Sequence, residues 1–170
     1  MKLNLFSIVA LLFSLSFAQA EGEIPNRLID YPAFLGIAQK VEAVRNPRRL
    51  TEEQFLQMMA EPGTVLLDAR TAEKFKLRHL KGAVNLALPD FTADELDRII
   101  PDKGTRVLIY CNNNFAGSPG SFPAKLAAAS LNISTFVTLT TYGYTNVYEL
   151  GPLIDVKASK LPFEGEEVAK

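Results

Sequence analysis

The sequence is poor in the residues that build disulfide frameworks and metal sites. Its 170 residues include one cysteine, Cys111, one histidine, His79, and no tryptophan. A single cysteine excludes an internal disulfide and also a thioredoxin-like Cys-x-x-Cys pair. One cysteine and one histidine leave a zinc site short of ligands, so we expect no metal site.

A strong charge of either sign is also missing. The formal net charge is −1 at pH 7, and the one basic cluster that stands out lies at residues 45–49. Nucleic-acid-binding proteins carry a basic patch or stripe, so nucleic acid is not an expected partner. After residue 20 no apolar run approaches the length of about 20 residues that a membrane span requires.

The longest apolar run lies at the N-terminus. Lys2 gives a positive start, residues 5–17 are apolar apart from three serines, and Ala18-Gln19-Ala20 is an A-x-A cleavage pattern. These features are typical of a secretory signal peptide, whereas a membrane anchor would need a longer run. We expect residues 1–20 to be a signal peptide cleaved near Ala20. The product would be an exported protein, periplasmic or secreted, that is not held at a membrane.

The rest of the chain has a size that fits one domain with a flanking segment. Residues 21–47 are predicted to form a partly helical N-terminal extension, because apolar residues recur at helical spacing over residues 31–44 and Asn46-Pro47 ends the pattern. The domain itself is expected over residues 48–165, followed by a C-terminal tail, residues 166–170.

Short apolar strands alternate with helical patterns from residue 48 onward. A capping box at residues 51–54 opens the first helix. The remaining pattern predicts strands at residues 65–67, 82–86, 106–110 and 146–150, and helices after Thr71, at 94–100 and at 123–131. Residues 134–142 fit a helix or a strand equally well. The alternation predicts an α/β fold with a mainly parallel central sheet flanked by helices.

Cys111 directly follows the strand at residues 106–110. Parallel sheets bind ligands at the carboxyl ends of their strands, which favours a reactive thiol over the alternative, a buried cysteine that serves as a small apolar residue. The next residues, NNNFAGSPGS, are polar and contain two glycines. Backbone N–H groups in such a loop, and the helix after it, favour a thiolate. A Cys-x5-Arg phosphatase is excluded because position 117 is glycine.

Four segments of the sequence, in this order, resemble the landmarks of the rhodanese family. They are LLDAR at residues 66–70 with HLKGAVNL at 79–86, VLIYC at 107–111, GYTNVYEL at 143–150, and LPFEG at 161–165. The resemblance covers residues 48–165. It implies a three-layer fold with a mainly parallel sheet between helices, and a sulfurtransferase activity.

The resemblance also implies roles for individual residues. Cys111 would be the nucleophile that carries sulfur as a persulfide, and His79 would be structural. Arg70 and Lys125 are candidates for lining the pocket. The persulfide would be held by the loop residues Asn112, Asn113, Asn114, Phe115, Ala116, Gly117 and Ser118.

The function that this resemblance implies is transfer of sulfane sulfur from a thiosulfate- or polysulfide-like donor to a thiophilic acceptor. The partners would be a small sulfur-containing anion, a low-molecular-weight thiol or a protein thiol, and the reaction needs no cofactor. Two features depart from the family: residues 112–121 contain no Lys or Arg, and the interval between Cys111 and Gly143 is long. The missing basic residue favours an alternative, a non-catalytic rhodanese-fold module that binds a partner or carries sulfur.

Overall fold

Five parallel strands form the centre of the computed structural model, which describes residue 24 and residues 26–168. The strands are β1 Arg49–Leu50, β2 Thr64–Asp68, β4 Val84–Asn85, β5 Arg106–Tyr110 and β7 Val147–Leu150. Their order across the sheet is β1-β7-β5-β2-β4. The predicted fold class, a mainly parallel sheet flanked by helices, is confirmed. The predicted signal peptide, residues 1–20, lies outside the described residues.

Within the described residues, five helices and two short strand pairs surround this sheet. The helices are α1 Tyr31–Arg45, α2 Glu52–Met59, α3 Ala72–Leu77, α4 Ala93–Ile99 and α5 Leu131–Thr141. One pair joins β3 His79–Leu80 to β9 Phe163–Glu164, and the other joins β6 Phe115–Ala116 to β8 Ile154–Asp155. None of the helices in the described part combines the length and the apolar character that a membrane span requires.

The alternation of side chains along β5 divides the core into two layers. Val107 and Ile109 belong to one apolar cluster, whereas Leu108 and Tyr110 belong to the other. Successive residues of a strand face opposite sides of the sheet, so a buried central strand is apolar at every position. The first cluster includes buried residues of α1, α4 and α5, and the second includes Phe55 of α2.

The helical part of the N-terminal extension packs against the domain. Val41 of α1 is buried in the first cluster, where it lies with Phe136 and Val137 of α5. One compact unit begins at Tyr31, so α1 belongs to the same unit as the sheet. The helix ends beside residues 46–48, a 3-10 turn that leads directly into β1.

Several local predictions are confirmed and one is wrong. The capping box at Thr51 and Gln54 has both of its hydrogen bonds, and the helix predicted after Thr71 begins at Ala72. The ambiguous residues 134–142 lie mostly in α5. The predicted helix at residues 123–131 is wrong, because this segment holds only a 3-10 turn, Ala127–Ala129, and the helix begins at Leu131.

Candidate active site

The carboxyl edge of the sheet holds the single cysteine. β5 ends at Tyr110, and Cys111 continues it with an extended backbone, φ −147° and ψ −173°. The residue is 1% exposed and lines a cavity of about 190 Å³. A reactant would therefore meet the thiol inside this cavity rather than on the outer surface.

The cavity is built from parts of the chain that are far apart in sequence. The end of α1 and β1 form one wall, the loop after β5 and the start of α5 form another, and the end of β7 closes it. These elements supply Arg45 and Arg49, then Asn113, Asn114, Ser130, Asn132 and Ile133, then Glu149, Leu150 and Gly151.

The hydroxyl of Ser130 lies beside the sulfur. Ser130 Oγ is 3.4 Å from Cys111 Sγ, within hydrogen-bond distance for sulfur. Ser130 is the N-cap residue of α5, yet its side chain makes no capping hydrogen bond. The hydroxyl that would ordinarily satisfy the first turn of the helix is thus directed to the thiol, and the positive end of the α5 dipole lies at the same wall of the cavity.

Two arginines and a buried glutamate set the charge of the cavity. Arg45 Nη2 lies 2.7 Å from Glu149 Oε1, and Arg49 Nε lies 3.0 Å from the same oxygen. The Glu149 side chain is 1% exposed. Burial raises the pKa of Glu149 above its ordinary value, although both guanidinium groups act to lower it. With Glu149 ionised, two guanidiniums and one carboxylate give the lining a net charge of +1.

A chain of side-chain amides fixes the backbone around the cysteine. Asn114 Oδ1 accepts hydrogen bonds from the Cys111 N–H at 2.8 Å and from Asn132 Nδ2 at 3.1 Å. Asn114 Nδ2 donates to the carbonyl of Leu150 at 2.7 Å. The network joins the end of β5 to the start of α5 and the end of β7, so the relative positions of the cavity walls are held by buried polar contacts.

Only part of the loop that the sequence predicts as a persulfide cradle lines this cavity. Asn113 and Asn114 do, whereas Asn112 lines two neighbouring cavities. Phe115 is buried in the second apolar cluster, and Ala116 pairs with Asp155 in the short sheet of β6 and β8. The chain therefore turns away from Cys111 after the 3-10 turn Asn112–Asn114.

The end of the predicted loop has structural contacts of its own. Gly117 has a φ of 82°, and a Cβ at this position would come within 2.9 Å of Asp155 Oδ1, so the turn requires glycine. Ser118 Oγ lies 2.7 Å from Ser121 Oγ and donates to Glu167 Oε2 at 2.9 Å. Neither residue lines the cavity at Cys111.

Arg70 and Lys125 line a different cavity, of about 410 Å³. Arg70 is 2% exposed and forms an ion pair of 2.6 Å with the buried Asp68. Burial acts to lower the pKa of Arg70, but the contact with Asp68 leaves it raised. The backbone of Lys125 exchanges two hydrogen bonds with the Asn113 side chain. Arg70 thus joins parts of the core, and it is not in the lining around Cys111.

His79 also lies outside this lining. Its ring stacks on Phe75 with 3.7 Å between centroids, and its Nδ1 lies 2.7 Å from the Phe75 carbonyl oxygen. These contacts give His79 the structural position that the sequence predicts. Within the part of the chain that the structure describes, no group of three or more His, Cys, Asp and Glu side chains could hold a metal ion.

Sequence reasoning missed five polar residues of the cavity. One signal for them was present: Glu149 is an acid inside the predicted strand at residues 146–150, at a position that faces the core, and a buried charge requires a partner. The basic cluster at residues 45–49 contains its two partners. The missed residues are Arg45, Arg49, Ser130, Asn132 and Glu149.

Three comparisons with known proteins point to the same family. A model of the rhodanese-like domain matches residues 51–151. The curated relative thiosulfate sulfurtransferase PspE of Escherichia coli (strain K12) is 27% identical over 95 residues, which are 56% of this chain and 76% of that protein. A solution structure of a rhodanese-like domain from Anabaena sp. superimposes with a TM-score of 0.51 at 20% identity, covering 72% of this chain and 83% of that domain.

Proposed function

Because the chain belongs to the rhodanese-like domain family, we propose that it is a sulfurtransferase in which Cys111 carries sulfane sulfur as a persulfide. The observation that carries the proposal is the position of Cys111, at the carboxyl end of the central strand and in a cavity with two arginines. The relative in Escherichia coli is a thiosulfate sulfurtransferase, which supports the same class of reaction.

The first half of the proposed reaction loads the cysteine. The Cys111 thiolate attacks the outer sulfur of the donor, a sulfur–sulfur bond forms, and the donor's own sulfur–sulfur bond breaks. From thiosulfate the leaving group is sulfite, and from a polysulfide it is a chain one sulfur shorter. The product is a Cys111 persulfide whose outer sulfur is anionic.

The second half returns the enzyme to its starting state. A thiophilic acceptor attacks the outer sulfur, takes it, and leaves the Cys111 thiolate. For a thiol acceptor the product is a persulfide of that thiol, so atoms and electrons balance without an oxidant or a reductant. The acceptor classes are a low-molecular-weight thiol and a protein thiol.

The residues around the cavity supply the electrostatics of both halves. A thiolate is the reactive form of cysteine, and nearby positive charge and helix N-termini favour it. Arg45, Arg49, the Ser130 hydroxyl and the start of α5 lie at the cavity that holds the thiol. The absence of Lys and Arg from residues 112–121 is offset by arginines that come from the N-terminal side of the domain.

The proposal is tested by loading the protein with sulfur and measuring its mass. Purified protein is incubated with thiosulfate or with a polysulfide, desalted and analysed by intact mass spectrometry. We expect a mass increase of one sulfur atom, which disappears on addition of cyanide with release of thiocyanate. Cys111→Ser should show neither change, and because this variant contains no cysteine it controls for adsorbed sulfur. A wild-type protein that stays unmodified with every donor would contradict the proposal.

The burial of Cys111 supports a second candidate, a module that carries sulfur without turnover. The residue is 1% exposed, and a sealed thiol could hold sulfur and release it only to a docked protein. This candidate predicts stoichiometric loading with no thiocyanate formed from excess donor and cyanide. Multiple turnovers in the same assay would exclude it in favour of the enzyme.

A further inference from the structure

The cavity at Cys111 offers hydrogen-bond donors that no described residue uses. Arg49 donates from Nε to Glu149 and from Nη2 to the carbonyl of Gly151, and no acceptor among the described residues lies at its Nη1. The Arg49 side chain is 47% exposed, so a ligand can approach it. A charged N–H donor of this kind suits a carboxylate.

The same cavity also holds an acceptor without a partner. Asn132 is 4% exposed, and its Oδ1 makes no hydrogen bond with any described residue. The orientation of the amide is fixed, because Asn132 Nδ2 donates to Asn114 Oδ1 and that oxygen also accepts the Cys111 N–H. A buried acceptor left unpaired is costly, so a molecule that fills the cavity gains by presenting an N–H group there.

Inorganic thiosulfate meets only half of these requirements. It is a dianion with oxygen acceptors and no N–H group, so it can contact Arg49 but leaves Asn132 Oδ1 unpaired. Glu149 also reduces the positive charge of the lining, which favours a ligand that carries positive as well as negative charge. The volume of about 190 Å³ is below the roughly 300–1,000 Å³ of pockets for drug-sized ligands.

Building on the proposed function, we infer that the sulfur acceptor is a free α-amino-acid thiol of the cysteine type. Its carboxylate binds the Nη1 side of Arg49, its ammonium group donates to Asn132 Oδ1, and its thiolate reaches the outer sulfur of the Cys111 persulfide. That thiolate forms a new sulfur–sulfur bond while the bond to Cys111 Sγ breaks. The products are the amino-acid persulfide and the Cys111 thiolate.

Acceptors that lack one group at a time test this inference. Protein loaded with sulfur and desalted is mixed with L-cysteine, with cysteamine, which has no carboxylate, or with 3-mercaptopropionate, which has no amine. The loss of the persulfide is followed by mass spectrometry in a single turnover. Each rate is divided by the rate of the same thiol with a small-molecule polysulfide, which removes differences in intrinsic reactivity. We expect L-cysteine to exceed each truncated thiol by about tenfold.

Two neighbouring arginines provide a matched pair of variants. Arg49→Gln should abolish the preference for L-cysteine over cysteamine, so that the ratio of the two normalised rates falls to about one. Arg48→Gln should leave the preference intact, because Arg48 bonds to the Thr145 carbonyl and does not line this cavity. A preference that survives Arg49→Gln would overturn the assignment of the carboxylate site.

The remaining outcomes separate the inference from the proposed function. If the protein loads with sulfur but the three thiols react at equal normalised rates, the inference fails and the sulfurtransferase proposal stands. If glutathione reacts faster than L-cysteine, the assignment to a free amino acid is wrong. If no donor loads Cys111, the proposed function itself fails before the acceptor is tested.

Discussion

At the scale of single residues, the surroundings of Cys111 include neighbours that the loop after β5 does not supply. The Ser130 hydroxyl lies 3.4 Å from the sulfur, and Arg45 and Arg49 lie in the same cavity. Both arginines are held by one carboxylate, that of Glu149. The protonation state of Glu149 therefore decides how strongly the cavity attracts an anion.

This arrangement predicts a pH dependence of anion binding. Burial raises the pKa of Glu149, with Arg45 and Arg49 opposing the shift. As the pH falls through that raised pKa, Glu149 takes up a proton and the charge of the lining increases by one positive unit. An anion in the cavity should then bind more tightly, by roughly tenfold for one added charge at a partly screened site.

Calorimetric titration of Cys111→Ser with thiosulfate checks this expectation, since the variant has no thiol whose titration would interfere. The ordinary pKa of a glutamate side chain is about 4. Affinity for thiosulfate should therefore rise as the pH is lowered from 8 towards that value. Glu149→Gln should bind with the higher affinity at every pH and lose the dependence. An affinity that is constant over this range in Cys111→Ser would show that Glu149 stays ionised between its arginines.

At the scale of elements, α1 contributes both to the stability of the domain and to the cavity at Cys111. Its buried Val41 packs with α5, and its last residue, Arg45, reaches the buried Glu149 of β7. α5 in turn carries Ser130 at its N-cap position. Packing between α1 and α5 thus holds two walls of the cavity together.

Two valines on α1 allow a matched stability measurement. Val41 is 3% exposed and Val44 is 43% exposed. Val41→Ala should lower the free energy of unfolding by about 1–3 kcal/mol, because it removes two methyl groups from a packed interface. Val44→Ala should change it by less than about 0.5 kcal/mol. Urea unfolding measures both, and equal effects would contradict the packing of α1 on the domain.

The elements that could be predicted from sequence are those with a strong local pattern. The buried strand β5 and the capping box of α2 have one, and both are present. The predicted helix at residues 123–131 rested on alanine content, a weak preference. Side chains of the preceding turn hold this segment in another shape, since Asn112 donates to the Pro123 carbonyl and Asn113 bonds the backbone of Lys125.

The walls of the cavity were less predictable for a different reason. The position of Cys111 could be predicted from sequence because the end of a strand is a local feature. Arg45 and Ser130, by contrast, come to the same cavity only through the packing of α1 and α5. No periodicity in the sequence encodes which helix packs beside which strand end. The buried Glu149 was the single local sign that positive partners lie at this edge of the sheet.

At the scale of the whole molecule, the helical part of the predicted extension belongs to the same compact unit as the sheet. The predicted extension ends at residue 47, and the family match begins at residue 51. The compact unit nevertheless starts at Tyr31 and includes α1. The site as we propose it needs this helix, so a protein cut down to the family-matched residues would lack both arginines.

The last prediction concerns the cellular compartment of the protein. A lone thiol in an oxidising compartment is open to oxidation unless it is shielded, and the burial of Cys111 inside a small cavity provides that shielding. If the full chain is expressed in a bacterial host, we expect it in the exported fraction with Glu21 as its first residue, as N-terminal sequencing would show. Replacing Ala18 and Ala20 by leucine should block cleavage, because the peptidase requires small residues there. An uncleaved chain that stays in the cytoplasm would contradict export and remove the need for a shielded thiol.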